Sequence, residues 1–148
     1  MTVAIVRVAG PGGRIIERAW LERSETVHRQ LRPQLPEDYA ATMARIFAGG
    51  AEMVVAVLDE AVAGVAVFRL FQNTNSGLRF YVDDLVTDET RRSAGVGGAL
   101  LAWLESEARA RKCPGIELES GVQRVRAHRF YFREGFAIPS FSFRKTLS

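Results

Sequence analysis

Three strand patterns separated by two very short links constrain this chain more than any other feature of its sequence. The patterns are rich in β-branched and aromatic residues and cover residues 52–58, 61–71 and 78–87. Two residues, at 59–60, join the first pattern to the second, and the turn-forming segment 73–77 joins the second to the third. Strands joined by such short links pair as antiparallel neighbours. The middle of the chain is therefore predicted to form an antiparallel sheet.

The pattern changes after residue 87. Apolar residues at helical spacing predict a helix over 96–112, and residues 116–120 resemble a short strand. A strand, a helix and a second strand in one sheet require a right-handed parallel crossover. We therefore expect an α/β (α+β) fold with a mixed, mostly antiparallel central sheet and helices on both faces.

The remaining segments complete the predicted order β-α-α-β-β-β-α-β-α-β. A strand is predicted over 3–8, helices over 14–31, 36–47 and 122–134, and a last strand over 136–147. The length of 148 residues fits one domain, so residues 1–148 are predicted to form a single domain.

Composition and charge exclude several classes of function. The net charge is +3, but no run of five basic residues occurs, so no nucleic-acid partner is expected. No apolar run reaches the length of a membrane helix, and the N-terminus does not resemble a signal peptide. One cysteine, Cys113, and two histidines are too few for a disulfide framework or a histidine–cysteine metal site, so no metal is expected. These features favour a cytoplasmic protein.

The most informative local segment is Arg92–Gly98, which contains three glycines between a strand and a helix. Glycine lets the backbone approach a ligand closely, and a helix N-terminus offers unpaired N–H groups and partial positive charge. Such a turn suits a phosphate group, and Arg91 and Arg92 add charged donors. A glycine-rich turn that only packs tightly is the alternative.

Two stretches resemble the GNAT superfamily of N-acetyltransferases. In LVTDETRRSAGVGGALLAWLESEARARK, Arg92, Gly95 and Gly97 match the acyl-CoA-binding motif of that family. In AHRFYFREGFAI, Tyr131 and the pair Gly135-Phe136 match its closing signature. The resemblance covers residues 78–147, and the N-terminal half matches in layout alone.

The resemblance implies an N-acetyltransferase domain that transfers the acetyl group of acetyl-CoA to an amine by direct attack in a ternary complex. It implies that acetyl-CoA, the co-substrate, lies on backbone groups of two segments: Leu85, Val86 and Thr87 for the pantetheine arm, and Ser93, Ala94, Gly95, Val96, Gly97 and Gly98 for the pyrophosphate. It also implies that Tyr131 protonates the leaving thiolate. Tyrosine on an apolar helix face is otherwise a core residue.

Four carboxylates on the predicted strands are candidates for the base: Asp83, Asp84, Glu117 and Glu119. Carboxylates beside a cleft attract a cationic amine and can accept its proton, although a solvated face or pairing with nearby arginines explains them equally well. Glu119 is the preferred base because its position matches a base in some family members. The acceptor is expected to be a small-molecule amine or a protein amine.

Other features leave alternatives open. Arg124 occupies a position at which many relatives carry an asparagine that holds the pantetheine, so Arg124 is expected to contact a phosphate or the acceptor instead. That departure leaves a non-catalytic CoA or acyl-CoA sensor as the alternative function. Four aromatic residues either line an acceptor cleft or pack the strands: Phe68, Phe71, Phe80 and Tyr81. His28 shows no pairing signal, and the family resemblance allows a homodimer.

Overall fold

The computed structural model describes residues 2–148 as two compact units, one that ends at Glu117 and one that runs Leu118–Ser148. A five-stranded sheet has the strand order β1-β2-β3-β4-β5. The strands are β1 (Ala4–Ala9), β2 (Ala51–Leu58), β3 (Ala61–Asn73), β4 (Gly77–Thr87) and β5 (Ile116–Leu118). All pairings among the first four strands are antiparallel, and the short links had predicted two of them, β2–β3 and β3–β4.

The helices occupy the rest of the predicted order. They are α1 (Arg18–Arg23), α2 (Glu25–Leu31), α3 (Tyr39–Ala48), α4 (Val96–Ala110) and α5 (Val125–Arg133). Within the described residues, none of these helices has the length and apolar character needed to cross a membrane. The mixed α/β architecture predicted from the sequence is confirmed.

The β2–β3 hairpin is the tightest connection in the sheet. Asp59 and Glu60 both take positive φ angles, of 51° and 60°. Two such residues form the type of turn whose twist matches that of the flanking strands. The pairing therefore starts directly beside the turn, with Leu58 opposite Ala61.

The two faces of the sheet carry different helices. The main core packs α1–α3 against β2 and β3, and includes Leu21, Phe47, Met53 and Val65. The opposite face holds α4, because a Cβ added to Gly64 would lie 2.8 Å from side-chain carbons of both Val96 and Leu100. Gly64 and Val65 are adjacent in β3, so their side chains point to opposite faces.

One irregularity interrupts the β3–β4 pairing. Val67 lies opposite Asp84, and Phe68 lies opposite Val82, so Asp83 is an extra residue on β4. An extra residue of this kind is a β-bulge, which bends its strand and breaks the hydrogen-bond ladder locally. The bulge lies directly before the segment Leu85–Thr87.

The prediction of one helix over 14–31 is wrong. Ile15 instead forms an isolated bridge with Ala9, and α1 begins at Arg18. The helix then breaks at Ser24, whose hydroxyl donates to the carbonyl of Leu21 at 2.6 Å. A serine that bonds its own backbone in this way competes with the regular helix pattern.

The predicted strand over 136–147 is also wrong, since none of these residues belongs to a strand within the described chain. Phe141 and Phe143 alternate with polar residues as in a strand, yet they are 82% and 94% exposed. Alternation supplies an apolar face but no partner strand, and Pro139 lacks a backbone donor. The segment is irregular chain.

Candidate functional site

The glycine-rich segment forms the N-terminal turn of α4. Gly95 is the N-cap residue in the left-handed conformation, with φ of 80°. The first helical bond runs from the Ala99 amide to the Gly95 carbonyl at 3.0 Å. The amides of Val96, Gly97 and Gly98 precede that bond, and no side chain of the described residues caps them. This arrangement offers three N–H donors and the positive end of a helix to an anion.

The rest of the turn faces outward. Arg92, Ser93 and Ala94 are exposed. Ser93 has φ of 71°, an unusual value for a residue with a side chain. Arg91 differs from the expectation, because its guanidinium donates to the Leu58 carbonyl at 3.1 Å. Arg91 thus anchors the turn to the β2–β3 hairpin, and Arg92 is the arginine of the pair exposed to a ligand.

The segment Leu85–Thr87 lies on β4 between the bulge and this turn. Its members pair with Ala66, Val65 and Gly64 of β3, and the Asp88 amide extends the ladder by bonding the Ala63 carbonyl at 2.8 Å. The segment is therefore held firmly along one edge. After this strand, a short 3₁₀ turn (Glu89–Arg91) leads the chain to the amides at the N-terminus of α4.

Two side chains four residues apart, one on α2 and one directly after it, form hydrogen bonds to the bulge of β4. His28 Nε2 lies 2.7 Å from Asp84 Oδ2, and Arg32 Nε donates to Asp84 Oδ1 at 2.7 Å. Arg32 also donates to the backbone carbonyl of Asp83 at 3.0 Å. Helix α2 thus binds both residues at the irregular point of β4.

The histidine in this network is buried among hydroxyl groups. His28 is 1% exposed, and its Nδ1 lies 2.8 Å from the hydroxyl of Tyr39. That hydroxyl lies 3.0 Å from Ser24 Oγ. Burial raises the pKa of Tyr39 to about 12, so this hydroxyl stays protonated at ordinary pH. The chain Ser24–Tyr39–His28–Asp84 connects the break in the first helices to the bulge.

Asp84 remains ionised although it is largely buried. Burial alone would raise the pKa of its carboxyl group. The hydrogen bond and charge of His28, together with Arg32, outweigh that effect and hold the pKa below its usual value. The bulge therefore carries a negative charge that lies against the side chains of His28 and Arg32.

The four candidate carboxylates differ in their partners. Asp84 pairs with His28 and Arg32, Asp83 accepts from Arg69 at 2.6 and 2.8 Å, and Glu117 accepts from Arg79 at 2.8 Å. Pairing with arginines, rather than a solvated face, thus explains three of the four. Glu119 is exposed and accepts from the Ser142 hydroxyl at 3.4 Å.

The unit Leu118–Ser148 holds the other candidate catalytic residues. Tyr131 lies in α5, half-buried beside the rings of Phe130 and Phe136. Burial raises the pKa of Tyr131, while the charge and hydrogen bond of Arg124 lower it in part. The guanidinium of Arg124 thus partly offsets the effect of burial on the pKa of Tyr131. Ser120 has a buried hydroxyl with no hydrogen-bond partner within residues 2–148.

The four aromatic residues of β3 and β4 divide between the two faces. Phe68 and Phe80 are fully buried, and their rings stack at 4.8 Å on the α4 face. Phe71 and Tyr81 are half-buried on the opposite face, among arginine side chains. Strand packing therefore explains the first pair, and the second pair is accessible to a ligand.

Sequence reasoning missed the residues that hold the bulge. His28 and Arg32 are four residues apart, which places them on one face of a helix. That spacing was the available signal, but it does not reveal a partner 52 to 56 residues away. Tyr39 and Ser24 gave no signal beyond their ordinary helical positions.

A mostly antiparallel sheet whose fourth strand is followed by a glycine turn and a helix N-terminus defines an α/β protein with exposed backbone amides at that turn, and comparison with known proteins names its family. The model of the acetyltransferase (GNAT) family matches residues 15–136. This chain therefore belongs to the GNAT acetyltransferase family, as the sequence resemblance implied.

Two curated relatives match parts of the chain. An aminoalkylphosphonate N-acetyltransferase of Salmonella typhimurium is 41% identical over 66 residues, which are 45% of this chain and 43% of that protein. The uncharacterized N-acetyltransferase YhdJ of Bacillus subtilis is 36% identical over 94 residues, covering 53% of this chain and 66% of that protein. The chain thus spans less than two thirds of the length of these relatives.

Solved structures share the fold. The aminoglycoside N-acetyltransferase AAC(6')-Iy in complex with CoA superposes with a TM-score of 0.80 at 17% identity. The match covers 99% of this chain and 96% of that one. At this identity the likeness concerns the fold alone.

Proposed function

We propose that this protein is an acetyl-CoA-dependent N-acetyltransferase that acetylates an amine by direct attack in a ternary complex. The observation that carries the proposal is the left-handed Gly95 cap, which exposes the first amides of α4 after the short 3₁₀ turn (Glu89–Arg91) that follows the segment Leu85–Thr87. This combination offers a hydrogen-bonding strand and an anion cradle in series. Family membership supports acetyl-CoA as the co-substrate.

The proposed cradle fits a pyrophosphate on grounds of space and charge. Nothing lies within 4 Å of a Cβ built on Gly95 or Gly98, so ligand oxygens can approach the backbone there. The amides from Ser93 to Gly98 are the proposed donors, and Arg92 adds a charged side chain beside them.

The proposed chemistry moves two protons. The neutral amine attacks the thioester carbonyl, a C–N bond forms, the C–S bond breaks, and the thiolate receives a proton. We assign that proton to the hydroxyl of Tyr131, because its raised pKa keeps it protonated near neutrality. We assign Glu119 as the base that removes the proton of the amine, since it is exposed and has no basic partner among the described residues.

Arg124 receives a new role in this scheme. In place of the expected contact to a phosphate or the acceptor, its guanidinium is proposed to orient the Tyr131 hydroxyl and to limit the rise of its pKa. An Arg124→Asn variant should then shift the basic limb of the pH–rate profile upward, because Tyr131 would lose a neighbouring positive charge.

The direct test is an acetyl-CoA-dependent assay over a panel of amines that includes amino acids, polyamines, aminoglycosides, peptides and, because of the relative from Salmonella, aminoalkylphosphonates. Tyr131→Phe should lower kcat by about 10²- to 10⁴-fold, as expected for loss of a general acid, and leave the Kd of acetyl-CoA unchanged. Binding of acetyl-CoA without turnover of any amine would instead support an acyl-CoA sensor.

The cradle has its own test. Gly95→Val should raise the Kd of CoA strongly, because a β-branched residue disfavours φ of 80° and the amides would turn away. Ala94→Arg is the matched control, since Ala94 is exposed and contributes only backbone. Equal affinity of both variants for CoA would contradict the cradle.

We further propose that residues 1–148 act as one domain, in the cytoplasm, and that a homodimer is an allowed assembly.

A further inference from the structure

Strands β3 and β4 carry four side chains on one face in which guanidinium groups and aromatic rings alternate. Arg69 lies opposite Tyr81, and Phe71 lies opposite Arg79. Arg69 Cζ lies 5.5 Å from the centres of both rings, and Arg79 Cζ lies 5.7 Å from Phe71 and 4.7 Å from Tyr81. We name this set the guanidinium ladder. Cation–π contacts of this kind hold both arginines in place.

The guanidinium ladder ends at the bulge. Arg69 binds the carboxylate of Asp83 side-on through Nε and Nη2, at 2.6 and 2.8 Å. Asp83 is the bulged residue and comes two residues before Leu85, where the proposed acetyl-CoA segment begins. A molecule that lies on the ladder therefore has one end beside the proposed site of acyl transfer.

Both arginines keep donors for a ligand. Arg79 bonds Glu117 through Nε, and its two outer nitrogens make no hydrogen bond within the described residues. Nη1 of Arg69 likewise makes no hydrogen bond within the described residues. The side chain of Arg79 is 28% exposed, and that of Arg69 is 42% exposed. A guanidinium held by rings and one carboxylate loses little further freedom when it binds a second anion.

Charge on this face favours an anion over a cation. Asp83, Asp84 and Glu117 are each paired with a basic side chain, so a cationic acceptor would find no unpaired carboxylate among them. An anionic group would find unused N–H donors. Nearby guanidinium groups also lower the pKa of an amine, which favours the neutral form that attacks a thioester.

We propose that Arg69 and Arg79 bind a negatively charged group, a carboxylate, phosphate or phosphonate, of the acceptor whose amine is acetylated. The inference rests on the proposed acetyltransferase function and narrows its acceptor to amines that carry a second, anionic group. Phe71 and Tyr81 provide flat surfaces beside that group.

The test compares four amines of the form H₂N–CH₂–CH₂–X, in which X is hydroxyl, carboxylate, phosphonate or ammonium. We expect the carboxylate and phosphonate acceptors to exceed ethanolamine in kcat/KM by at least about tenfold, the range of a charge-assisted hydrogen bond. The ratio between the two anionic acceptors shows which anion the ladder prefers. Ethylenediamine is expected to be the poorest acceptor.

The variant Arg79→Gln should lower the ratio of kcat/KM for the best anion to that for ethanolamine by about 10- to 100-fold. The double variant Arg79→Gln/Glu117→Gln should show the same lowered ratio as Arg79→Gln alone, and it leaves no unpaired carboxylate at position 117. Arg109→Gln, on the exposed surface of α4, is the control and should leave the ratio unchanged.

The outcomes separate the two proposals. A preference for ethanolamine or ethylenediamine, or an unchanged ratio in both Arg79 variants, would overturn the anion-binding role while the acetyltransferase proposal stands. Absence of acetylation with these four amines and with the wider amine panel would refute the acetyltransferase function itself.

Discussion

Two buried carboxylates of the sheet, Glu52 and Asp84, are paired in the same manner at different places. Glu52 on β2 accepts hydrogen bonds from Arg111, the residue that follows α4, at 2.6 Å to each oxygen. Asp84 on β4 accepts from His28 of α2 and from Arg32, the residue that follows α2, at 2.7 Å. The first network joins the end of α4 to β1 and β2 on one face. The second joins α2 to the bulge on the opposite face.

The backbone beneath each network determines what the pairing does. The β2–β3 pairing is regular at Glu52, which lies opposite Phe68, and the arginines bound to Glu52 link β1 and the end of α4 to β2. Hydrogen bonding to Glu52 raises the pKa of Arg111, so this guanidinium stays charged at every ordinary pH. Asp84 lies where the β3–β4 ladder is interrupted, directly before the segment proposed to bind acetyl-CoA, Leu85–Thr87. The comparison teaches that the same kind of ionic pairing lies beside a regular ladder in one place and beside a bulge in the other, and only the second is predicted to affect activity.

The largest effect is expected from Glu52→Gln. This change leaves Arg7 and Arg111 to share Glu107, and removal of one partner from a buried ion pair costs about 3 kcal/mol or more. Urea unfolding should show that decrease in the free energy of unfolding. Glu105→Gln, in an exposed pair with Arg109 at 3.9 Å, is the control and should change it by less than about 0.5 kcal/mol. Equal decreases in the free energy of unfolding for the two variants would mean that the Glu52 network contributes no more stability than the exposed pair.

Compared with Glu52→Gln, Asp84→Asn should lower the free energy of unfolding by less and should lower the activity by more. The loss of charge-assisted bonds to His28 and Arg32 is expected to lower the free energy of unfolding by about 2 kcal/mol. The released bulge should also reduce kcat/KM for acetyl transfer by more than about tenfold, because misplacement of a reacting group costs rate steeply. Folded Glu52→Gln protein should retain kcat/KM. If both variants lose activity in proportion to stability, the functional contrast between the networks fails.

Acid should weaken the Asp84 network in a defined direction. The pKa of Asp84 in the folded protein lies below its usual 3.8, so its pairing stabilises the fold above about pH 4. That stabilisation is lost as the pH falls through the lowered pKa. Unfolding measured between pH 5 and pH 2 should therefore show a smaller acid-induced loss for Asp84→Asn than for the unaltered protein. A larger loss in the variant would reverse the assigned sign.

The smallest effect is expected from Tyr39→Phe. The change removes the hydroxyl between Ser24 and His28 and leaves buried polar atoms with one partner fewer, at a cost of about 1 kcal/mol. Thermal unfolding measures this decrease. A decrease as large as that of Asp84→Asn would show that the hydroxyl, rather than the charge, anchors the bulge.

Much of the fold was predictable because its signals are local. The turns at 59–60 and 73–77 predicted the antiparallel strands, and the glycines before α4 predicted a helix N-terminus suited to an anion. The errors arose where a local pattern lacked its distant partner. Residues 136–147 alternate like a strand but have no strand beside them, and Ile15 fits a helical stripe yet bridges to Ala9.

The assignment of the carboxylates shows the same limit. Asp83, Asp84 and Glu117 were equally plausible as bases or as partners of arginines, because a sequence does not state which side chains meet. The β3–β4 register places Arg69 within hydrogen-bond reach of Asp83 at the bulge, and it places Arg79 on the same face of the sheet as Tyr81. The roles of Tyr131, Glu119 and the acetyl-CoA residues stay predictions until the variants are measured.

By itself, the sequence determined the class of this protein: an α/β acetyltransferase family member with antiparallel strands and a Gly95-capped helix. Strand periodicity, turn residues and a positive φ are set within a few residues and can be recognised there. The tertiary structure alone decided that His28 meets Asp84 across 56 residues, and that Asp83 and Glu117 are paired with arginines. Such contacts depend on the β3–β4 register and on how α2 packs against it, and both are fixed only when the whole sheet closes around its core.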